Sequence, residues 1–356
     1  MIKVIAQYQI YLDYFLPRAS DWEKNGINIK LTSMDMIISI IPRSMDEPLF
    51  PDPTDEILSS MVINIKAVDK FDNDPGFEFK PKIFDRVTLQ LFFNVDSEAE
   101  LTSQKFRDEK LLTSIRQLNY FLEHCRAESL SPFVHLIPII YMPEENRSII
   151  NVPHTETYFD QLTGNALNIF STPKGFFNSN CRSGEFAAPE SGSISFDQVC
   201  SSLLRGAPDV VKLLLADSFS FVRSERLREA IFLAATAFEV QADRLLDVLN
   251  EDQYSSINDI EKNRSKSIVE KRLNLIPQLV FGERFPDEVT YLKVIYLYRT
   301  RNKVSHEAKL YFCDNDNNEI VPDNFQVHEM IVATTQAILW LGQKINICLN
   351  QTRAHE

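Results

Sequence analysis

RLREAIFLAATAFEVQADRLLDVLN, residues 226–250, steps its apolar side chains by three and four: Leu227, Ile231, Ala234, Phe238, Ala242, Leu245 and Leu249. That period draws one stripe along an α-helix. The same period governs the C-terminal third of the chain. SKSIVEKRLNLIPQLVF (265–281) reads as a shorter helix, interrupted or ended near Pro277. PDEVTYLKVIYLYRTRNKV (286–304) reads as another, with Pro286 suited to a first turn and Asp287 and Glu288 to the positive helix start. Val327, Ile331, Thr334, Ile338, Leu341, Ile345 and Cys348 mark a last long helix. Four or five amphipathic helices with short connections make an all-α bundle.

Upstream the period is two. Ile2, Val4, Ala6, Tyr8, Ile10 and Leu12 alternate with polar residues, as do Ile27, Ile29 and Leu31, then Met61, Ile63, Ile65 and Ala67. Val87, Leu89, Leu91, Phe93 and Val95 give the clearest case. These read as half-buried strands of a mainly antiparallel sheet or sandwich. Residues 108–126 read as a helix, and 133–142 and 147–152 hold further strands. Residues 178–195, NSNCRSGEFAAPESGSIS, lack any apolar period and read as a linker. The expected fold is therefore α+β in two domains: a β-rich domain at 1–177, the linker, and a helical bundle at 196–356.

The totals narrow the function. The 356 residues are 44% hydrophobic and 24% charged, as in ordinary soluble proteins, and no apolar run is long enough to span a membrane. The N-terminal MIKVIAQYQIYL reads as a strand and not as a secretory leader. Five scattered cysteines without a CxxC pair suit a reducing cytoplasm. The net charge of −13 argues against electrostatic binding of nucleic acid by the chain as a whole. Residues 1–200 hold 18 Lys and Arg against 28 Asp and Glu; residues 201–356 hold 19 against 22. A local basic pocket is thus admissible only in the second part.

LYRTRNKVSHEAKL, residues 297–310, provides one. If the helix continues through it, Asn302 and His306 stand one turn apart, with Arg299 one turn before Asn302. Arg301 lies on the adjoining face, one turn from Ser305, and Lys303 adds a further cation. Such groups suit metal-free cleavage of RNA. A histidine takes the proton of a ribose 2′-hydroxyl or gives one to the leaving 5′-oxygen. An arginine holds the phosphate and the charge that develops on it. The sequence carries no HxH, HExxH or clustered acidic signature, so neither a metal nor another cofactor is expected.

RNKVSH resembles the Arg-x4–6-His signature of HEPN domains, in which a polar residue, often Asn, follows the Arg. LYRT before it and AATAFEVQADRLL upstream, with Glu239, are also similar to the family's helical pattern. The resemblance covers roughly 200–350. It implies a helical bundle and a metal-independent endoribonuclease of a toxin, abortive-infection or antiviral defence system, leaving a 2′,3′-cyclic phosphate. It implies Arg301 and His306 as the catalytic pair with Asn302 between them. It also implies a homodimer or higher oligomer in which two such pairs share one cleft. RNA, single-stranded or tRNA, is then the substrate, and a trigger or antitoxin is a further partner. The family often has a glycine after the histidine, where this chain has Glu307.

Other readings stand beside this one. Arg and His suit any helix C-terminus, where they complement the dipole. Arg299-x6-His306 also fits the family's spacing. Glu239 reads as a structural acid pairing with an arginine in the bundle, or as an accessory catalytic group; Lys303 and Ser305 are further accessory candidates. His124, His135, His154, His328 and His355 share no ligand spacing. Asp314, Asp316 and Glu319 faintly suggest a calcium loop but lack its glycine and its bidentate glutamate, and read as a solvated turn. A non-catalytic HEPN scaffold or nucleotide-binding dimerisation module is the alternative function. The β-rich domain is expected to sense a trigger, restrain the nuclease or build the oligomer.

Overall fold

A computed structural model describes residues 1–12, 27–31, 36–40, 43–44, 82–83, 86–131, 134–142, 147–150, 152, 154–172, 196–249 and 254–355. The expected strand at 61–67 and the expected linker at 178–195 lie outside these residues. The chain divides into two units, one of residues 1–129 and 133–207, the other of residues 130–132 and 208–356.

The first unit is built on β1 (Ile2–Tyr11), β2 (Ile27–Leu31), β3 (Met36–Ile40), β6 (Arg86–Val95), β9 (His154–Asp160) and β10 (Ala166–Thr172). Short ladders join β4 (Arg43–Ser44) to β5 (Lys82–Ile83) and β7 (Ile139–Met142) to β8 (Arg147–Ile150). The six main strands form one sheet in the order β10-β9-β1-β6-β3-β2, every neighbouring pair antiparallel. β1 is central because its alternation buries one full face: Val4, Ala6, Tyr8 and Ile10 are closed to solvent. Val87, Leu89 and Leu91 of β6 and Met36 and Ile38 of β3 continue that face.

After a single turn, α1 (Ala99–Thr102), the long helix α2 (Gln104–Ser129) covers the sheet. Its Leu111, Ile115, Leu118, Phe121 and Leu122 share one core with Val4, Tyr8 and Leu89. Each such side chain contributes about 1.5–3 kcal/mol when fully withdrawn from water. Among the described residues the face is therefore closed by a helix, where the sequence also admitted a second sheet. α3 (Phe196–Arg205) adds Val199 and Leu203 to this core, and Ser202 lies 2.7 Å from His124 of α2. The first unit thus runs past 196 to Ala207, because α3 spends its apolar face on the sheet domain.

The second unit is helical: α4 (Val210–Arg223), α5 (Leu227–Asp247), α6 (Tyr254–Lys262), α7 (Ile268–Glu270), α8 (Ile276–Phe281), α9 (Glu288–Glu307) and α10 (Asn324–His355). The stripe of α5 is buried as its spacing requires, with Ala230, Ile231, Ala234, Phe238, Ala242 and Leu245 in one core with Val294, Leu297, Ile331 and Leu341. Pro286 precedes α9 where a first-turn position was expected. Asp287 is the N-cap, its carboxylate accepting from the amides of Val289 and Thr290.

Between α7 and α8 the backbone makes a π-helical turn, Lys271–Leu275. Pro277 explains it. Proline has no N–H to offer the carbonyl four residues back, Leu273, and its ring crowds that carbonyl. The wider turn relieves the clash, and the Leu273 carbonyl accepts the amide of Phe285 at 3.0 Å instead. The interruption expected near Pro277 therefore falls one turn ahead of it.

Candidate functional site at the end of α9

Helix α9 is apolar for most of its length and ends in the polar run that the sequence singled out. Ala308 closes it in the left-handed conformation, φ 53°, its amide bonded to the Val304 carbonyl. About 100° of rotation per residue distributes the polar side chains around its last two turns.

Arg299 turns to the hairpin of β11 (Phe312–Cys313) and β12 (Glu319–Ile320). Its Nη1 donates to the Cys313 carbonyl at 2.8 Å and contacts Asn315 Oδ1 at 3.4 Å, and its guanidinium lies 5.6 Å from the Tyr296 ring centre. In that hairpin Asp314 is spent on its own turn, accepting from the amides of Asp316 and Asn318 and from the Asn318 side chain. Those bonds and the Arg299 charge hold its carboxyl below the usual carboxylate range. The rival arginine is thus a clamp on the loop that follows α9.

Arg301 points the other way, to α5. Its guanidinium lies 5.7 Å from the Phe232 ring centre, and its Nη2 is 3.8 Å from Glu239 Oε1. Its Nη1 contacts Asn302 Oδ1 at 3.4 Å, while its Nε is buried and finds no acceptor among the described residues. A charge-assisted N–H···O bond is about 2.7–2.9 Å long. The Arg301 fork is therefore held by charge and only weakly by hydrogen bonds.

Asn302 and His306 are exposed one turn apart, and His306 makes no hydrogen bond or ion pair among the described residues. Arg301 and His306 lie about 140° apart around the helix, so one copy of α9 does not aim both at a single point. Ser305 donates back to the Arg301 carbonyl at 2.9 Å. Lys303 pairs with Glu307 at 2.7 Å, and the Tyr311 hydroxyl donates to the same carboxylate at 2.8 Å. These two bonds depress the Glu307 pKa, and the bond to Glu307 is the largest cause that raises that of Lys303. Glu307, the departure from the family pattern, thus spends its charge on Lys303 and Tyr311.

Two participants carry no motif in the sequence. Tyr298 stands one turn before Arg301, packs edge-on against Phe238 at 5.6 Å and donates to the Ala235 carbonyl at 3.0 Å. Burial first, and then the Glu239 carboxylate, push its hydroxyl far above the ordinary phenol value. The signal was a hydroxyl on an otherwise apolar stripe, which a buried tyrosine must satisfy. Arg272, on the π-turn, is almost wholly buried, its Nη2 3.0 Å from Asp243 Oδ1 and 3.4 Å from Glu261 Oε2. Pro277 was its only trace in the sequence.

Glu239 of α5 therefore faces Tyr298 and Arg301 of α9 along one seam, and Asp243, one turn further on α5, faces Arg272 of the π-turn. Such a seam can bind an anion through Arg301, while His306 stands exposed on another face of α9. Among the described residues no group of three His, Cys, Asp or Glu side chains is arranged to hold a metal ion, and no helix is long and apolar enough to cross a membrane. No protein-family model, no curated protein and no solved structure matches this chain.

Proposed function

We propose that the chain is a HEPN-like, metal-independent endoribonuclease, with Arg301 holding the scissile phosphate and His306 moving the proton. The observation that carries this reading is the pairing of an under-bonded, part-exposed guanidinium with an exposed, uncommitted imidazole on the last turns of one helix. His306 takes the 2′-hydroxyl proton, the 2′-oxygen bonds to phosphorus, and the bond to the 5′-oxygen breaks. That leaving oxygen receives a proton from the conjugate acid of a second histidine. Arg301 offsets the charge on the non-bridging oxygens, and Asn302 contacts the phosphate beside it.

The rotation between Arg301 and His306 gives a reason for two copies to act together, each completing the other's site as base and acid. A defence or toxin effector is the setting that fits a ribonuclease joined to an acidic sheet domain. The non-catalytic scaffold remains the second reading, because Glu239 already stands beside the Arg301 charge.

Cleavage of a tRNA and mRNA pool in EDTA, by wild type and His306→Ala, tests the proposal. His306 is exposed, so its removal leaves the fold intact. Loss of general acid–base catalysis lowers the rate by about 10²–10⁴-fold. The wild-type products carry 2′,3′-cyclic phosphate ends. Cleavage that stops in EDTA, or that survives in His306→Ala, overturns the reading.

A further inference from the structure

The contact between Arg301 and Glu239 is the wrong length for a permanent bond. At 3.8 Å it exceeds a charge-assisted hydrogen bond, and the two side chains are 32% and 31% exposed, so water competes for both. Arg301 Nε is buried with no acceptor among the described residues, and Nη1 reaches its neighbour Asn302 Oδ1 only at 3.4 Å. A guanidinium presents five donors in a planar fork, and a phosphodiester presents oxygens that match it in pairs. Glu239 stands where such an anion would sit and satisfies it poorly.

The carboxylate has somewhere else to go. The Glu239 charge reaches the Tyr298 hydroxyl, whose pKa it helps burial to raise. That hydroxyl is now given to the Ala235 carbonyl, one turn before Glu239 on α5. All three groups lie on the seam where Phe232, Ala235 and Glu239 of α5 face Tyr298 and Arg301 of α9.

We propose that Glu239 is a displaceable internal counter-ion of Arg301, which a phosphodiester replaces and which the Tyr298 hydroxyl then receives. This rests on the reading of Arg301 as a phosphate-binding residue and adds how its pocket is kept closed to weaker anions. In the free protein the carboxylate screens the guanidinium; on binding, the phosphate takes over the fork and the acid moves along α5's face to the phenol.

The test is binding of a fluorescent 2′-O-methyl RNA 12-mer, which lacks the 2′-hydroxyl and is not cleaved, to the full chain at fixed salt. Glu239→Gln removes the competing charge with little change of shape and tightens binding about two- to fivefold, the scale of an exposed ion pair. Arg301→Met weakens binding, and Glu239→Gln has no further effect in that background. Tyr298→Phe weakens binding in wild type and is silent in Glu239→Gln.

Unchanged or weaker binding in Glu239→Gln overturns the proposal, since the acid would then be holding Arg301 in place. A gain that persists without Arg301 also overturns it, as a general loss of negative charge. Equal effects of Tyr298→Phe in both backgrounds remove the handover to the phenol. If wild type and variants alike fail to bind the oligonucleotide, the counter-ion proposal falls with the phosphate reading. If Glu239→Gln tightens binding through Arg301 while natural RNA is not cleaved, the counter-ion stands and the nuclease reading alone is lost.

Discussion

Two arginine–glutamate pairs, one in each unit, use the same chemistry for opposite ends. In the sheet unit Arg107 of α2 meets Glu156 of β9 at 3.3 Å, with side chains 11% and 6% exposed. The other Glu156 oxygen accepts the Tyr158 hydroxyl at 3.0 Å, and Tyr8, opposite Glu156 in the β1–β9 register, brings its own hydroxyl to 3.5 Å from that of Tyr158. In the helical unit Arg301 and Glu239 are longer apart and about a third exposed. The first pair has given up water and depends on its partners. The second retains water as an alternative, as the proposed phosphate site requires. Burial, and not residue type, separates this strut from the proposed site.

Removing Glu156 tests the strut with the largest effect. Glu156→Leu takes this carboxylate from the Arg107 cation under the sheet and from the Tyr158 hydroxyl that donates to it. Loss of one member of a buried, bonded pair costs about 3 kcal/mol or more. Calorimetry of the full chain should show the transition of the sheet unit moved far down in temperature, with that of the helical unit unchanged. A loss below about 1 kcal/mol would place this pair in the same class as Arg301–Glu239 and dissolve the contrast.

A second strut responds to pH. His124 is fully buried between α2 and α3, with Nδ1 2.7 Å from Ser202 Oγ, its ring edge-on to Tyr120 at 4.7 Å and Nε2 without an acceptor among the described residues. Burial holds its pKa below the ordinary imidazole value and outweighs the upward pull of Glu128; Arg205 pushes the same way as burial, and the Gly206 carbonyl opposes it. Below an unfolded-state pKa of about 6.5 the unfolded chain binds a proton that the folded chain resists, so stability falls as pH drops through that value and is restored above it. The melting temperature of the sheet unit should fall between pH 7 and pH 5 by more in wild type than in His124→Gln. Equal slopes would mean that other groups carry the acid response.

The same contrast explains how much the sequence could tell. β1 and β6 were legible because their inward positions are apolar, Val4 to Ile10 and Val87 to Leu91. β9 was not legible because its buried positions are His154, Glu156 and Tyr158, which break the hydrophobic alternation while obeying the strand period. α3 falls on the other side of the expected boundary, since a stripe at 196–205 does not say which core it serves. At the site, RNKVSH stood out as a polar run ending an apolar helix. That Arg299 serves the hairpin and Arg301 the α5 seam depends on long-range packing that helical spacing does not encode. Tyr298 is core, and only the nearby Glu239 charge brings its hydroxyl to the candidate site.

The smallest expected effect decides whether the helical pair is a site at all. Arg301→Met keeps the aliphatic length that packs on Phe232 and removes the charge. Glu239 is then left without its cation, but at 31% exposure it can turn to water. Exposed pairs are worth about 0–1 kcal/mol, and the buried Nε that lacks an acceptor disappears with the guanidinium. Stability of the helical unit in urea should therefore change by less than about 1 kcal/mol, while binding of the oligonucleotide falls. A residue placed for the fold would show the reverse order, with stability lost first. A drop as large as that expected for Glu156→Leu would make Arg301 a second strut and return Glu239 to the role of its structural partner.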